Sequence, residues 1–264
     1  MDKKPIVAGI TQGDMNGIGY EIIMKALSDP EIAELCVPVV YGSPKVAAYH
    51  RKVLNITNFN FNNIRSVAEA HPKKVNLLNC LGDDVHVELG KSTPEGGQSS
   101  LAALEAAVSD LTAGRIDVLV TAPIDKSNIQ SDSFRFTGHT DYLKSKTGSH
   151  DVLMLMISES MKIGFVTEHM PLKDVPGAIT IGNILTKLRL LNRSLLQDFA
   201  IRGPRIGVLS LNPHAGDNGL LGHEEKDIIG PAITRANEEG ILAFGPYSSD
   251  GFFGSGAFKR FDAV

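Results

Sequence analysis

Residues 6–27 read IVAGITQGDMNGIGYEIIMKAL: a β-branched apolar run breaks into a glycine-rich turn and passes straight into a segment of helical period. Strand, turn and helix in immediate succession form the opening half of a crossover unit, and repetition of that unit builds a mainly parallel sheet. Similar apolar runs predict further strands over 37–41, 75–78, 118–121, 152–157, 163–167 and 206–211, beside the first at 6–11. Helical spacing predicts helices over 20–27, 99–113, 181–199 and 224–239. Leu101, Leu104, Ala107, Val108 and Leu111 make one apolar stripe, with Gly114 placed to end it. Ile184, Leu185, Leu188, Leu191, Leu195 and Phe199 make another, with Thr180 placed to cap it. Both stripes are core. The fold class is α/β, and 264 residues suffice for a sizeable core in one large domain or two small ones.

Composition narrows the function classes. The formal charge of −4 and the absence of a lysine or arginine run leave no basic surface for nucleic acid. No segment reaches the ~18 apolar residues of a membrane span, and the first apolar run is too short for a signal core. Cys36 and Cys80 have no metal-ligand spacing, so the chain reads as a protein of the reducing cytoplasm. It contains neither internal repeats nor low-complexity tracts.

Candidate chemistry gathers at the strand exits, where open α/β sheets bind ligands. His169 follows the run IGFVT, and His214 stands in LSLNPHAGDNG, where a proline and an Ala-Gly pair hold the ring at a loop tip. A lone histidine is most often a hydrogen-bonded structural group, but two in such frames point to a divalent ion or a substrate. Lys126, in TAPIDKSNI, is delivered to the same edge and could meet a phosphate or carboxylate. FTGHTDYL adds His139, Thr140 and Asp141; its plainer reading is a capped turn entering a helix. The turn 13–19 could present amides to an anion, although it has neither the GxGxxG spacing nor a phosphate-binding lysine. Asp14, Asn16 and Asn212 stand at strand ends as candidate cofactor contacts.

Taken in order, GDMNGIGYEI, GKSTPEGGQSSLAALEAA, TAPIDKSNI, FTGHTDYL, TEHMPLKDVP and LNPHAGDNGLLGHEE resemble the motif series of the 4-hydroxythreonine-4-phosphate dehydrogenase family of pyridoxal phosphate biosynthesis, over essentially the whole chain. The resemblance implies a three-layer α/β/α fold similar to isocitrate and isopropylmalate dehydrogenases, with two domains about a cleft, here 1–125 and 126–264. It implies a homodimer whose active site draws on both subunits. The implied reaction is NAD- or NADP-dependent oxidation of 4-phosphooxy-L-threonine at C3, then loss of CO2 to give 3-amino-2-oxopropyl phosphate. It assigns His169 and His214 to a divalent metal (Zn, Mg, Co, Ni or Mn), His139 and Thr140 to the phosphorylated substrate, and Lys126 to the cleft. Asp250 would support the metal site or handle a proton.

The chain departs from the family at KRFDAV, which reads as the start of another strand. The family continues through a YHDQG-like segment with a third metal histidine and a phosphate grip, so these residues are expected to be a piece of a longer polypeptide with little turnover by itself. A 4-phospho-D-threonate or D-erythronate dehydrogenase shares the motifs, and a phosphate acyltransferase-like protein, which needs neither metal nor NAD, is a more remote alternative.

Overall fold

The computed structural model describes residues 5–82 and 84–264. The chain divides into two compact units, Met1–Gly148 and Ser149–Val264. In chain order the first unit contains β1 (Ile6–Thr11), α1 (Gly19–Leu27), α2 (Ile32–Leu35), β2 (Cys36–Gly42), α3 (Pro44–Val53), β3 (Asn62–Ile64), β4 (Asn76–Asn79), α4 (Pro94–Thr112), β5 (Val118–Thr121) and α5 (His139–Thr147). The five strands form a parallel sheet in the order β3-β4-β2-β1-β5.

Strand alternation makes this unit three layers. On one face Ile10, Val40 and Leu77 pack with Ile23 and Met24 of α1 and Val46 and Ala47 of α3. On the other face Val39 and Tyr41 pack with Ala103 and Ala107 of α4 and with Ile116. Successive residues of β2 thus serve opposite cores, which is why the strand reads as one continuous apolar run rather than an alternating one.

The domain boundary expected after residue 125 lies instead after Gly148. Phe134 and Tyr142 are fully buried against Leu101, Leu104 and Val108 of α4, so the segment that carries Lys126 and His139 belongs to the first core. Helix α4 starts five residues before its expected position: Thr93 caps it by accepting from the Gly96 N–H at 3.1 Å, and Pro94 occupies the first turn. Its two early glycines hid that start. Helix α3, absent from the sequence reading, has the same signature in Ser43 and Pro44.

The second unit contains β6 (Leu155–Ile157), β7 (Lys162–Gly164), α6 (Val175–Ala178), α7 (Ile181–Gln197), β8 (Arg205–Leu209), α8 (Gly230–Glu238), β9 (Leu242–Tyr247) and α9 (Ser249–Gly254). β6 and β7 are antiparallel and shorter than their apolar runs; β8 and β9 are parallel. β9 escapes a reading by β-propensity because its sequence, LAFGPY, contains Gly and Pro. The helix expected over 224–239 opens with a π-helical turn, Glu225–Ile229, ahead of α8. The stripe of α7 supplies the core with Ile184, Leu185, Leu188, Leu191 and Leu195.

The last residues join the two strand pairs. The Val264 N–H donates to Lys162 O and its carbonyl accepts from the Gly164 N–H, both at 2.8 Å, while Gly207 N–H donates to Ala263 O at 2.9 Å. KRFDAV therefore does end in a strand-like ladder, between β7 and β8. In line with it lies an apolar cavity of about 250 Å³, lined by Ile163, Val166, Leu188, Val208 and Leu209 among others.

Candidate functional site

In the first unit, the exits of β1 and β5 are locked together. A β-carbon at Gly13 (φ +70°) would lie 2.3 Å from Pro123 O, and one at Gly19 would lie 2.0 Å from Gln12 O. These glycines are required by close backbone approach. Three amides of the turn are engaged: Asp14 N–H donates to Pro123 O, Gly17 N–H to Asp14 O, and Asn16 N–H to Asp14 Oδ1.

Asp14 and Asn16 are buried fasteners. Asp14 Oδ2 accepts from Asn128 Nδ2 at 2.9 Å. Asn16 Oδ1 accepts from the Glu88 N–H at 2.8 Å, and its Nδ2 donates to Lys91 O and to Thr93 Oγ1 at 3.1 and 3.0 Å. Asn16 ties the β1 turn to the segment that leads into α4, and Asp14 ties it to the segment that follows β5.

Lys126 and His139 are brought together. Lys126 is exposed and reaches over the start of α5, where a β-carbon at Gly138 would lie 3.9 Å from its Nζ. Burial, and then the neighbouring Lys126 charge, push the His139 pKa below its usual value, so the imidazole is neutral near pH 7. His139 Nε2 is buried without a hydrogen-bond partner, and so is Asn128 Oδ1. Thr140 follows, half-buried, on the first turn of α5, whose N-cap residue Gly138 offers no side chain. Beside them Asp125 accepts from the hydroxyls of Ser127 and Ser92, which hold its pKa at about 2. The arrangement pairs an exposed cation, suited to an anionic group, with a neutral imidazole whose buried Nε2 has no hydrogen-bond partner.

In the second unit, His169 and His214 are both exposed and both left-handed, with φ of 50° and 53°. His214 opens five consecutive residues, to Asn218, with left-handed dihedrals. Four of the five are not glycine, and each such placement costs roughly 1–2 kcal/mol, so the turn needs external support. Glu225, 7% exposed, supplies it: Oε1 accepts from the N–H groups of Leu211 and Asn212 at 2.9 and 2.7 Å, and Oε2 from Asn212 Nδ2 at 3.0 Å. Burial pushes the Glu225 pKa up, but these donors outweigh it and leave the carboxyl below its usual value. Asn212 is thereby committed within the chain; its Nδ2 also donates to Glu224 at 2.6 Å.

Asp250 stands at the opening of α9 with Oδ2 3.4 Å from His214 Nδ1. The Ser248 hydroxyl, then the Gly251 N–H, hold its carboxyl below the usual range. A carboxylate at Nδ1 favours the tautomer that leaves Nε2 as an outward lone pair, the usual orientation of a ligating histidine. Behind His169, Lys187 donates to Val152 O at 2.7 Å and pairs with Glu168 at 3.4 Å. An exposed imidazole backed by a carboxylate, as at His214, suits a divalent cation whose remaining positions are filled by other ligands. Among the described residues, no three His, Cys, Asp or Glu side chains converge to hold an ion unaided.

A family model described as "Pyridoxal phosphate biosynthetic protein PdxA" matches residues 34–264. The chain belongs to the PdxA family. A 4-hydroxythreonine-4-phosphate dehydrogenase of Bacteroides thetaiotaomicron is 48% identical over 265 residues, covering all of this chain and 72% of its own length. A Symbiobacterium thermophilum protein named as a D-threonate 4-phosphate dehydrogenase is 34% identical, covering all of this chain and 79% of its own length. Among solved structures, the 4-hydroxythreonine-4-phosphate dehydrogenase of Klebsiella pneumoniae superposes with a TM-score of 0.89 at 26% identity, over the whole of this chain and 80% of that one. This PdxA-family chain is an oxidoreductase of pyridoxal phosphate biosynthesis with the α/β fold of those enzymes. A phosphotransacetylase of Staphylococcus aureus superposes with a TM-score of 0.52 at 14% identity, over 97% of this chain and 73% of that one, a likeness of fold alone. No helix among the described residues is long and apolar enough to cross a membrane.

Proposed function

We propose that the chain carries out the NAD- or NADP-dependent oxidation of 4-phosphooxy-L-threonine at C3, followed by decarboxylation to 3-amino-2-oxopropyl phosphate, within a homodimer. The observation that carries this reading is the neutral His139 with its uncommitted Nε2 beside the Lys126 ammonium. Lys126 neutralises the phosphate or carboxylate of the substrate, while His139 and Thr140 hydrogen-bond its polar groups. In the second unit, Asp250 fixes the His214 tautomer and is an acceptor for the proton released as the alcohol is oxidised. Nicotinamide, when bound, would supply the acceptor for the C3 hydride, while Asp250 would take the hydroxyl proton as the β-keto acid forms. A divalent cation held by His169 and His214 would polarise the hydroxyl and the forming carbonyl.

The relative named for D-threonate 4-phosphate supports one second reading, in which a hydroxyl replaces the amino group at C2. Calorimetric binding of both phosphorylated acids to this chain, paired with nicotinamide reduction, tests the choice. 4-Phosphooxy-L-threonine is expected to bind more tightly than D-threonate 4-phosphate and to lose affinity on Lys126→Ala. Binding of neither acid would overturn both readings.

A further inference from the structure

Glu225 has no part in the chemistry above, yet its carboxylate carries three donors, two of them consecutive main-chain amides immediately before the His214 turn. The same oxygen that accepts from Asn212 Nδ2 lies under the turn: a β-carbon at Gly216 would come within 2.7 Å of Glu225 Oε2. The carboxylate therefore fixes where β8 ends and where the left-handed run begins. That in turn decides whether the His214 ring reaches Asp250. Glu224, its neighbour, accepts from the Asn212 side chain at 2.6 Å and from the main chain at Glu224 and His223, but from neither the Leu211 nor the Asn212 amide.

We infer that Glu225 is the positioning residue for His214: an ionised carboxylate beneath the loop that holds the imidazole against Asp250 and so selects its tautomer. The inference rests on the proposed function only in taking His214 as a working group. An ionised carboxylate is needed because all three of its partners are donors. In Glu225→Gln the amide oxygen can satisfy the main-chain pair, but the NH2 group is then turned toward the Asn212 NH2, donor against donor.

The test uses this chain with 15N-labelled histidine and backbone, without substrate, nucleotide or metal. In the wild type the His214 ring nitrogens should report a proton on Nδ1, and the Leu211 and Asn212 amides should exchange slowly. In E225Q those two amides should exchange at least about tenfold faster, and the His214 shifts should move to the Nε2-protonated pattern of a free imidazole, while the His50 and His139 shifts stay put. Glu224→Gln should leave amides and tautomer unchanged. A folded E225Q with wild-type His214 shifts overturns the inference.

If E225Q does not fold, Asn212→Ala removes the Glu225 Oε2 bond together with the Glu224 bond, the latter controlled by Glu224→Gln, and should move His214 part-way in the same direction; no movement in that variant overturns the inference equally. Because no ligand is present, these outcomes are independent of the substrate and turnover measurements that decide the function.

Discussion

Replacing Asn16 by alanine separates a fastener from a cofactor contact. The side chain is 3% exposed and makes three hydrogen bonds, at 2.8, 3.1 and 3.0 Å, to Glu88 N–H, Lys91 O and Thr93 Oγ1. A net value of about 1 kcal/mol for each, with the Glu88 amide left to find water, gives a loss of roughly 2–4 kcal/mol. The main-chain bonds of residue 16, to Asp14 Oδ1 and from Gly90 N–H, survive the substitution, so the turn should loosen rather than collapse. Four of the five tyrosines, Tyr20, Tyr41, Tyr49 and Tyr142, lie in the first unit, so near-UV circular dichroism during urea unfolding reports mainly that unit. The expected result is a lower midpoint with faster exchange of the Glu88 amide. A change under about 0.5 kcal/mol, with Glu88 still protected and nucleotide affinity lost, would refute the reasoning and return Asn16 to the cofactor.

Gly97→Ala should destabilise the first unit by roughly 1–3 kcal/mol, against a helix-propensity gain of up to about 1 kcal/mol, because the added carbon would lie 1.9 Å from Asn128 O. Gly182→Ala in α7 meets nothing within 4 Å and should be neutral or stabilising; paired urea titrations check both. His139 should titrate below the ordinary imidazole value of about 6.5, and Lys126→Ala should raise it only part-way, since burial is the larger cause. A depressed histidine pKa means that the unfolded chain takes up the proton first, so this group makes folding less favourable as pH falls below about 6.5; histidine ring NMR follows the midpoint directly. Asp125 should titrate at about 2, and Ser127→Ala should move it upward in a carboxyl 13C titration.

The β-branched runs of β1, β2 and β5 and the stripe of α7 were readable because each encodes its own burial pattern within a few residues. The frames around His169 and His214 were readable for a similar reason: a loop tip needs local Pro, Ala and Gly chemistry whatever surrounds it. The short helix α3 carried equally local capping signals in Ser43 and Pro44 that went unused. Side-chain partners had no such local trace. Asn16 meets Glu88 across 72 residues and Asn128 meets Asp14 across 114. Nothing near Asp14 or Asn16 announces that their polar groups are already engaged.

Glu225 lies closer, 13 residues from Asn212, yet in sequence it is one of two adjacent glutamates entering a helix. By itself the sequence determined the parallel α/β plan of the first unit, the family and the residues able to bear charge, because periodicity and turn chemistry act over a few residues. The tertiary structure alone decided which of those groups are fasteners and which stay uncommitted, because a hydrogen-bond donor is used up only when the fold brings an acceptor to within about 3 Å of it.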